Sequence, residues 1–460
     1  MAEKVERQKQ KEQDRFERRN NFEPVEENFT EEQALAEASR CLNCKNPRCV
    51  KGCPVNIQIP KFIQELKEGN LEKAGETIRE TSMLPSVCGR VCPQERQCEG
   101  NCVLGIKGEA VAIGALERYV GDNTNAKPKE IKPSGKKVAV VGSGCAGITA
   151  ASDLRNAGHE VVVFEALHKL GGVLRYGIPP FRLPRTVLDK EINNLKNMGV
   201  EFKKNVIVGK SITLKQLEED GFDAIFICSG AGLPKMMNIK GENLNGVFSA
   251  NEFLTRVNLM QANDANTATP LSVGEKVAVI GGGNVAMDAA RTAVRVGFKE
   301  VYIVYRRTEK ELPARLEEIR HAKEEGVIFK FLHAPVEILE KEGYVDGMKF
   351  EICELGEPDE SGRQRPVGTG EFMVLDVDTV IVALGTGPNP IIQASAKDEG
   401  IEFEIDRRGY FVVDEETRET SVCKIYAGGD VAPVGTSNAI NAMGAGKKAA
   451  KAINEYLANK

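Results

Sequence analysis

Apolar residues gather in short unbroken runs along the chain, and two of these runs lead directly into glycine-rich turns. The runs at 137–141 and 276–280 are each followed by such a turn and then by a predicted helix of small residues. Unbroken apolar runs are typical of parallel strands that are buried on both faces. Runs at 223–230, 378–385 and 424–430 end in glycine or aspartate in a similar way. The pattern predicts an α/β fold with two Rossmann-like dinucleotide-binding domains.

The first 130 or so residues lack this pattern and are predicted to form short helices. Thr30-Glu31-Glu32-Gln33 matches the capping box that begins a helix. Segments 58–68 and 70–81 are further predicted helices, and Gly69 separates them. This region is therefore predicted to be a small α-helical domain.

Composition excludes several classes of protein. The net charge is −5 and only four histidines are present, so we expect neither a nucleic-acid-binding protein nor a zinc hydrolase. No uncharged apolar run reaches the roughly 18 residues of a membrane span, and we find no secretory signal. We therefore expect a cytoplasmic protein that does not bind a membrane and whose thiols stay reduced.

Eight of the twelve cysteines lie between Cys41 and Cys102. Clustered thiols in a reducing compartment favour metal or cluster ligands over disulfides. The spacing of the first group, with a proline after its last cysteine, resembles ferredoxin-type ligation more than a structural zinc site. Iron–sulfur ligation is favoured, and a zinc site or free buried thiols are the alternatives. By spacing alone, each group could form its own site, one from Cys41, Cys44, Cys49 and Cys53 and one from Cys88, Cys92, Cys98 and Cys102.

The first glycine-rich turn matches a dinucleotide fingerprint between a strand and a helix. Its first glycine makes the turn, the second admits a pyrophosphate at the helix N-terminus, and the third lets helix and strand pack. Glu165 ends the next predicted strand, where an acid accepts hydrogen bonds from an unphosphorylated ribose, as in FAD or NAD. The alternative is a chance glycine turn without a nucleotide. The residues predicted to bind this nucleotide are Gly142, Ser143, Gly144, Ala146, Gly147 and Glu165.

The second turn repeats the fingerprint with the opposite charge at the ribose position. Arg306 and Arg307 end the following strand, and cations suit the 2′-phosphate of NADPH, which an acid would repel. A solvated strand end is the alternative. Gly297 is predicted to cap the intervening helix. The residues predicted to bind NADPH in the turn itself are Gly282, Gly283, Asn284 and Val285.

A third glycine-rich element follows the last apolar run. Gly429 and Asp430 precede a loop, Val431 to Ser437, and a predicted helix, Asn438 to Leu457. An acid and a helix N-terminus suit the ribitol chain and the N1/O2 side of a flavin, although a strand, loop and helix that only close the sheet are the alternative. The element order predicts a helical domain at 1–133, FAD-domain halves at 134–270 and 377–460, and an inserted NADPH domain at 271–376.

Ordered motifs along the chain carry a family resemblance. They include Cys41-Leu-Asn-Cys44, Leu84-Pro-Ser-Val-Cys-Gly-Arg-Val-Cys92-Pro, Gly171-Gly-Val-Leu-Arg-Tyr-Gly-Ile-Pro179, Gly282-Gly-Asn-Val-Ala-Met-Asp288 and Ala427-Gly-Gly-Asp430. From about Cys41 to Lys451 the chain resembles the small (β) subunit of NADPH-dependent glutamate synthase. Relatives of that family include the flavin subunit of NADH-dependent ferredoxin:NADP oxidoreductase, sulfide dehydrogenase and the N-terminal half of dihydropyrimidine dehydrogenase.

The resemblance implies that the two cysteine groups interlock around two 4Fe–4S clusters. It implies one ligand set of Cys41, Cys44, Cys49 and Cys102, and another of Cys53, Cys92, Cys98 and the non-cysteine ligand Glu117. Cys88 is then a spare thiol. The segment from Gly171 to Pro184, with Gly172 and Val173, corresponds to the family's flavin-contacting stretch; by composition alone it is only a loop rich in glycine and proline.

The implied activity is electron transfer from NADPH through FAD to the clusters and on to an acceptor. The acceptor is expected to be a second subunit or another copy of the chain, with ferredoxin as a further candidate. The chain begins Met1-Ala2-Glu3 and the electron-transfer domains fill it, so we expect neither a glutaminase nor a synthase barrel. The alternatives are a bifurcating ferredoxin:NADP oxidoreductase, a sulfide dehydrogenase and, more remotely, a zinc-stabilised scaffold without catalysis. No catalytic side chain is predicted.

Overall fold

The computed structural model describes residues 5–126, 130–359, 362–433, 435 and 437–459. Met1-Ala2-Glu3 therefore lies outside the described residues. A helical N-terminal domain is followed by two domains that are each built on a parallel sheet, so the predicted fold class is confirmed. Among the residues that the structure describes, no helix is both long and apolar enough to cross a lipid bilayer.

The N-terminal domain consists of short helices. They are α1 (Arg15–Arg18), α2 (Glu31–Ser39), α3 (Arg48–Lys51), α4 (Ile59–Lys67), α5 (Leu71–Arg79), α6 (Pro85–Val91) and α7 (Ile113–Asn123), with 3-10 helices at Gln94–Arg96, Glu99–Asn101 and Val103–Ile106. The Gln33 N–H donates to the Thr30 hydroxyl at 3.2 Å, and the Thr30 N–H donates to the Gln33 side chain at 3.0 Å, which confirms the capping box. Both predicted helices, α4 and α5, are also present.

The first parallel sheet has the strand order β15-β4-β1-β2-β3. Its strands are β1 (Lys137–Val141), β2 (Glu160–Glu165), β3 (Glu201–Lys204), β4 (Ala224–Ile227) and β15 (Ile425–Ala427). Its helices are α8 (Cys145–Asn156), α9 (Val173–Tyr176), α10 (Arg185–Asn197), α11 (Leu214–Glu219), α15 (Ile391–Asp398) and α16 (Ala439–Ala458). A 3-10 helix, Gly429–Val431, follows β15, and the predicted loop before α16 includes Val434 and Thr436, which lie outside the described residues.

The second parallel sheet has the strand order β6-β13-β7-β8-β9 and carries an antiparallel sheet, β10-β11-β12. The strands are β6 (Val247–Ser249), β7 (Lys276–Ile280), β8 (Glu300–Tyr305), β9 (Ile328–Phe331), β10 (His333–Lys341), β11 (Tyr344–Pro358), β12 (Gln364–Leu375) and β13 (Thr379–Val382). The helices are α12 (Ala250–Asn258), α13 (Asn284–Val296), α14 (Leu316–Glu324) and the 3-10 helix Glu309–Glu311. Gly297 ends α13 in the left-handed conformation, as predicted.

The strand pairing gives the second sheet wider limits than those predicted for the inserted domain, 271 and 376. β6 and β13 both belong to the second sheet, where Val380 of β13 pairs with Ala278 of β7. This sheet therefore extends from 247 to 382, and the crossing segments β5 (Leu233–Pro234) and β14 (Thr386–Gly387) pair with each other. Apolar runs in either parallel sheet look alike, so the sequence pattern alone did not assign β13 to its sheet.

A buried carboxylate, Glu325, joins the N-terminal domain to the second sheet domain. Three guanidinium groups donate to it: Arg18 of α1 at 3.1 Å, and Arg291 and Arg295 of α13 at 2.8 Å and 2.6 Å. Burial opposes the charged form, but these arginines lower the pKa of Glu325 to about 2. The charge is therefore fully paired at a junction between domains.

A second part of the same network reaches the flavin-domain segment around Arg182. Arg182 donates to Asp288 of α13 at 2.7 Å and to Glu318 of α14 at 2.8 Å, and Arg291 also pairs with Glu318. The ring of Phe181 lies beneath the guanidinium group of Arg291, 4.7 Å from the ring centre. The network thus connects all three domains through charges that solvent does not reach.

We expect Glu325→Ala to lower the free energy of unfolding by about 3–5 kcal/mol, because it leaves three buried arginines without their shared partner. The measurement is urea unfolding followed by circular dichroism under anaerobic conditions. Glu455→Ala is the matched control and should change the free energy of unfolding by less than about 1 kcal/mol, since among the described residues Glu455 forms an ion pair with Lys451 alone, at 3.9 Å on the exposed side of α16. Equal effects of the two substitutions would contradict the structural role of the network.

Candidate flavin, nicotinamide and iron–sulfur sites

The first glycine turn joins β1 to α8 at the carboxyl edge of the first sheet. Gly142 has a φ of +118°, and a Cβ on Gly147 would lie 1.9 Å from the Gly142 carbonyl oxygen. A Cβ on Gly144 would instead meet no atom within 4 Å. The turn is therefore closed where helix and strand pack and open where a pyrophosphate would approach the first turn of α8.

Glu165 ends β2 beside this turn and is almost fully buried. Its carboxylate accepts hydrogen bonds from the Ser143 N–H at 3.1 Å, from the Ser143 hydroxyl at 2.5 Å and from the Leu167 N–H at 2.9 Å. The structure places the acid against the glycine turn. This is the position from which a carboxylate can accept hydrogen bonds from a ribose.

Gly172 borders the open side of the same turn. A Cβ on Gly172 would lie 3.0 Å from the Gly144 Cα, and the Gly171 N–H donates to the Ser143 hydroxyl oxygen at 2.9 Å. Val173, the first residue of α9, is exposed to solvent. The segment with the predicted flavin contacts is therefore adjacent to the first fingerprint.

Gly429 and Asp430 lie after β15 and next to α8. A Cβ on Gly429 would lie 3.2 Å from the Ala146 Cβ. The Ser437 hydroxyl donates to the Asp430 carboxylate at 2.5 Å, while burial raises the pKa of Asp430. The three elements with predicted flavin contacts thus meet at one edge of the first sheet, although the third lies more than 250 residues after the other two in the chain.

A cavity of about 340 Å³ connects this edge with the helical domain. Gly429, Asp430 and Asn441 line one side of the cavity, and Pro54 and Val55 line the other. Pro54 directly follows the predicted cluster ligand Cys53. The flavin elements therefore face a space that the residues directly after Cys53 also line.

The second glycine turn joins β7 to α13. A Cβ on Gly282 would lie 2.6 Å from a leucine side chain, whereas a Cβ on Gly283 would meet no atom within 4 Å. The Asn284 side chain accepts a hydrogen bond from the Arg315 N–H at 2.9 Å, and Val285 is exposed in the first turn of α13. As in the first turn, the second glycine of the fingerprint is therefore the position with open space beside it.

Arg306 and Arg307 have different environments. Arg307 is buried, donates to the Gln364 carbonyl at 2.7 Å and pairs with Asp359 at 2.6 Å. Arg306 is exposed, and the described part of the chain provides no ion-pair partner within 4 Å of it. The Arg306 guanidinium is therefore available to a phosphate, whereas Arg307 holds the start of β12.

One set of predicted cluster ligands lines a small apolar pocket in the helical domain. These ligands are Cys41, Cys44, Cys49 and Cys102. Burial, followed by the neighbouring Cys102 and Cys41 thiols, raises the pKa of Cys49 to about 11. All four thiols are partly exposed to solvent. The structure brings Cys102, from the second group in the sequence, to three cysteines of the first.

A second set is fully buried. Burial, followed by Glu117 and Cys88, raises the pKa of Cys53 to about 11. A hydrogen bond with Cys88, together with burial, raises the pKa of Cys92, and burial with nearby Glu117 raises the pKa of Cys98. The structure therefore brings together five candidate groups, one more than a four-iron cluster uses.

Glu117 and Cys88 differ in how their own polar atoms are satisfied. Burial raises the pKa of Glu117 to about 8, and its Oε1 atom has no hydrogen-bond partner among the described residues. Cys88 Sγ instead lies 3.5 Å from the Met443 Sδ of α16 and 3.9 Å from the Ser82 hydroxyl. An unpartnered buried carboxylate oxygen beside three thiols fits a metal ligand.

Some residues that shape these sites were missed by sequence reasoning. Ser82 and Met443 contact Cys88, and Arg315 reaches from α14 to Gln94 of the helical domain at 2.9 Å. No local pattern marks them, because each acts through a contact between distant parts of the chain. Only an alignment of related sequences could have suggested them.

The fold and these sites define a class, that of NADPH-dependent flavin and iron–sulfur oxidoreductases. A family model described as dihydropyrimidine dehydrogenase domain II, 4Fe-4S cluster, matches residues 18–129, and one described as pyridine nucleotide-disulphide oxidoreductase matches residues 136–446. The chain belongs to the family of the glutamate synthase (NADPH) small chain. The predicted electron-transfer function from NADPH through FAD to iron–sulfur is thereby confirmed.

Three relatives illustrate the similarity. The glutamate synthase (NADPH) small chain of Escherichia coli strain K12 is 38% identical over 453 residues, which cover 96% of this chain and 95% of the relative. The glutamate synthase (NADPH) small chain of Halomonas elongata is 39% identical, and the match covers 96% of this chain and 94% of the relative. The subunit beta of the NADP(+)-dependent formate dehydrogenase of Moorella thermoacetica is 38% identical over 438 residues, but they cover only 60% of that longer protein.

Solved structures agree with the fold of the two sheet domains. FprA from Mycobacterium tuberculosis superposes with a TM-score of 0.59 at 22% identity, over 71% of this chain and 85% of that one. Thioredoxin reductase from T. acidophilum gives a TM-score of 0.51 at 21% identity, over 70% of this chain and 99% of that one. At such identities the likeness shows the fold alone.

We expect Arg306→Ala to raise the KM for NADPH about 10- to 100-fold, because a charge-assisted bond to the 2′-phosphate contributes about 1.5–3 kcal/mol. Steady-state reduction of a dye by NADPH measures this effect. NADH, which lacks the phosphate, is the control and should keep its KM. A rise that is equal for both nucleotides would show that Arg306 does not select between them.

Proposed function

We propose that the chain is the electron-input subunit of a glutamate synthase-type enzyme. In this proposal it carries FAD and two 4Fe–4S clusters and passes electrons from NADPH to a partner subunit. The observation that carries the proposal is the division of the candidate ligands into a buried set beside the flavin elements and a partly exposed set farther out. Such a division suits a path that leads from a protected cofactor to the protein surface.

The interlocked ligand assignment is part of this proposal. The shared pocket of Cys41, Cys44, Cys49 and Cys102 supports the first set. The unpartnered Glu117 oxygen, near the thiols of Cys53, Cys92 and Cys98, supports the second. Burial raises the pKa values of the Cys49 and Cys53 thiols, so ligation would require these groups to release their protons as iron binds.

The chain's own residues hold and protect the cofactors rather than take part in covalent chemistry. When bound, FAD accepts the two electrons of a hydride and releases them one at a time to iron–sulfur acceptors. In this proposal Glu165 and Asp430 accept hydrogen bonds from ribose and ribitol hydroxyls, and Arg306 binds the 2′-phosphate of NADPH. The N-termini of α8 and α13 favour the two pyrophosphates.

Direct contacts link the flavin domain to the buried ligand set. A Cβ on Gly444 of α16 would lie 3.5 Å from the Val55 side chain, two residues after Cys53. Met443 of the same helix contacts the Cys88 thiol. These contacts bring the buried set next to the flavin domain, at the cavity that Val55 and Gly444 also line. The buried set is accordingly the first cluster on the path, and the exposed set is the second.

The acceptor defines the alternatives. A flavin subunit of ferredoxin:NADP oxidoreductase or a sulfide dehydrogenase would use the same electron path with a different partner. Association through the helical domain with another copy of this chain would serve the same purpose. The high coverage of both glutamate synthase small chains, at 95% and 94% of their lengths, supports the first assignment.

Cofactor analysis and an anaerobic titration test the proposal. Purified protein should contain one FAD and about eight iron and eight sulfide atoms per chain. NADPH should bleach both the flavin and the cluster absorption, and addition of a glutamate synthase large subunit with glutamine and 2-oxoglutarate should restore turnover. Protein without labile sulfide, or clusters that NADPH does not reduce, would refute the electron path.

We expect Glu117→Ala to remove one cluster, so that iron falls to about half, because alanine offers no ligand atom. Cys88→Ala is the matched control in the same buried set and should keep the full iron content. Iron analysis and electron paramagnetic resonance of the dithionite-reduced protein measure both outcomes. Loss of the cluster in Cys88→Ala, with retention in Glu117→Ala, would reverse the ligand assignment.

A further inference from the structure

The loops around the partly exposed cysteines have an unusual charge. We define the docking patch as the exposed residues of segments 42–52 and 103–108, which flank Cys41, Cys44, Cys49 and Cys102. These segments contain no acidic residue, although the whole chain has a net charge of −5. Their cations are Lys45, Arg48, Lys51 and Lys107, all of them exposed.

None of these four cations has an ion-pair partner within 4 Å in the part of the chain that the structure describes. Elsewhere in the helical domain, arginines such as Arg40 and Arg90 pair with carboxylates at 2.6 Å. The charges of the docking patch are therefore not used within the fold. They remain available to a negatively charged surface.

Apolar side chains lie among these cations. Leu42 is 59% exposed, Val103 is 37% exposed and Ile106 is 65% exposed. Leu42, Val103 and Arg48 line the same pocket as the four cysteines. An apolar centre with a charged rim is the pattern of a protein–protein interface. Cations near a cluster can also offset its negative charge, but that role does not require exposed aliphatic groups between them.

We propose that the docking patch binds an electron-accepting protein whose own contact face is acidic around an apolar centre. The proposal rests on the electron path proposed above and adds the chemistry of the partner. Oxidation of one NADPH to NADP⁺ and a proton supplies two electrons, and each of two successive acceptor molecules takes one of them at the patch. Unpaired cations around an apolar centre suit electrostatically steered contact with an acidic partner face.

The test compares two charge-reversal variants. Lys45→Glu/Lys107→Glu reverses two cations of the docking patch, and Lys210→Glu/Lys215→Glu reverses two exposed lysines of the flavin domain that also lack an ion pair among the described residues. An acidic ferredoxin is the probe acceptor. Its reduction by NADPH is followed from about 0.01 M to 1 M salt, over which the screening length falls from about 30 Å to about 3 Å.

We expect the docking-patch variant to reduce the acidic ferredoxin with a kcat/KM about tenfold below that of the wild type at low salt, because electrostatic steering is lost. The difference should disappear at high salt. The control variant should match the wild type throughout. A basic c-type cytochrome, used as a second acceptor, should be reduced faster by the docking-patch variant than by the wild type at low salt.

Bleaching of the clusters by NADPH is recorded in every variant and separates the two proposals. If NADPH does not reduce the clusters in the wild type, the electron path itself is wrong. If the clusters are reduced normally, two results would overturn the docking proposal alone. The first is an equal rate and salt dependence in all variants, and the second is a wild type that does not reduce the acidic ferredoxin.

Discussion

The arrangement of the three domains depends on arginine and carboxylate groups that are buried where the domains meet. Glu325 has no exposed surface and is shared by Arg18, Arg291 and Arg295, while Arg182 pairs with carboxylates of the neighbouring domain. A buried charge without a partner costs several kcal/mol, so only a domain orientation that pairs every member of the network is stable. Electron transfer needs fixed distances between cofactors, and the same network supplies that constraint by holding the helical and nicotinamide domains against the flavin domain.

The two glycine turns show how one backbone solution serves two nucleotides. Gly144 and Gly283 both leave room for a pyrophosphate at a helix N-terminus. What differs is the end of the following strand, where Glu165 is buried against the first turn and Arg306 is exposed beside the second. In the proposed function, backbone geometry would recognise what the two nucleotides share, and the charge of one side chain at the ribose would distinguish them.

The candidate cluster ligands become more exposed from the flavin domain towards the docking patch. The thiols near α16 are fully buried, and those near the docking patch are partly exposed. In the proposed electron path, burial of the inner set would protect reduced cofactors from side reactions, and exposure of the outer set would let an acceptor come close enough to take an electron. Uncompensated cations and exposed aliphatic side chains occur at the outer end, where a partner would be met.

Several features could be predicted from the sequence because they are local. The glycine turns, the capping box at Thr30 and the helix end at Gly297 all depend on residues that are close together along the chain. Other features were decided by tertiary structure. The assignment of β13 to the second sheet, the approach of Cys102 to Cys41 and the ion pair of Arg18 with Glu325 join segments between 60 and more than 300 residues apart. Such contacts follow from which buried surfaces and charges can be satisfied together, and no short pattern records that choice.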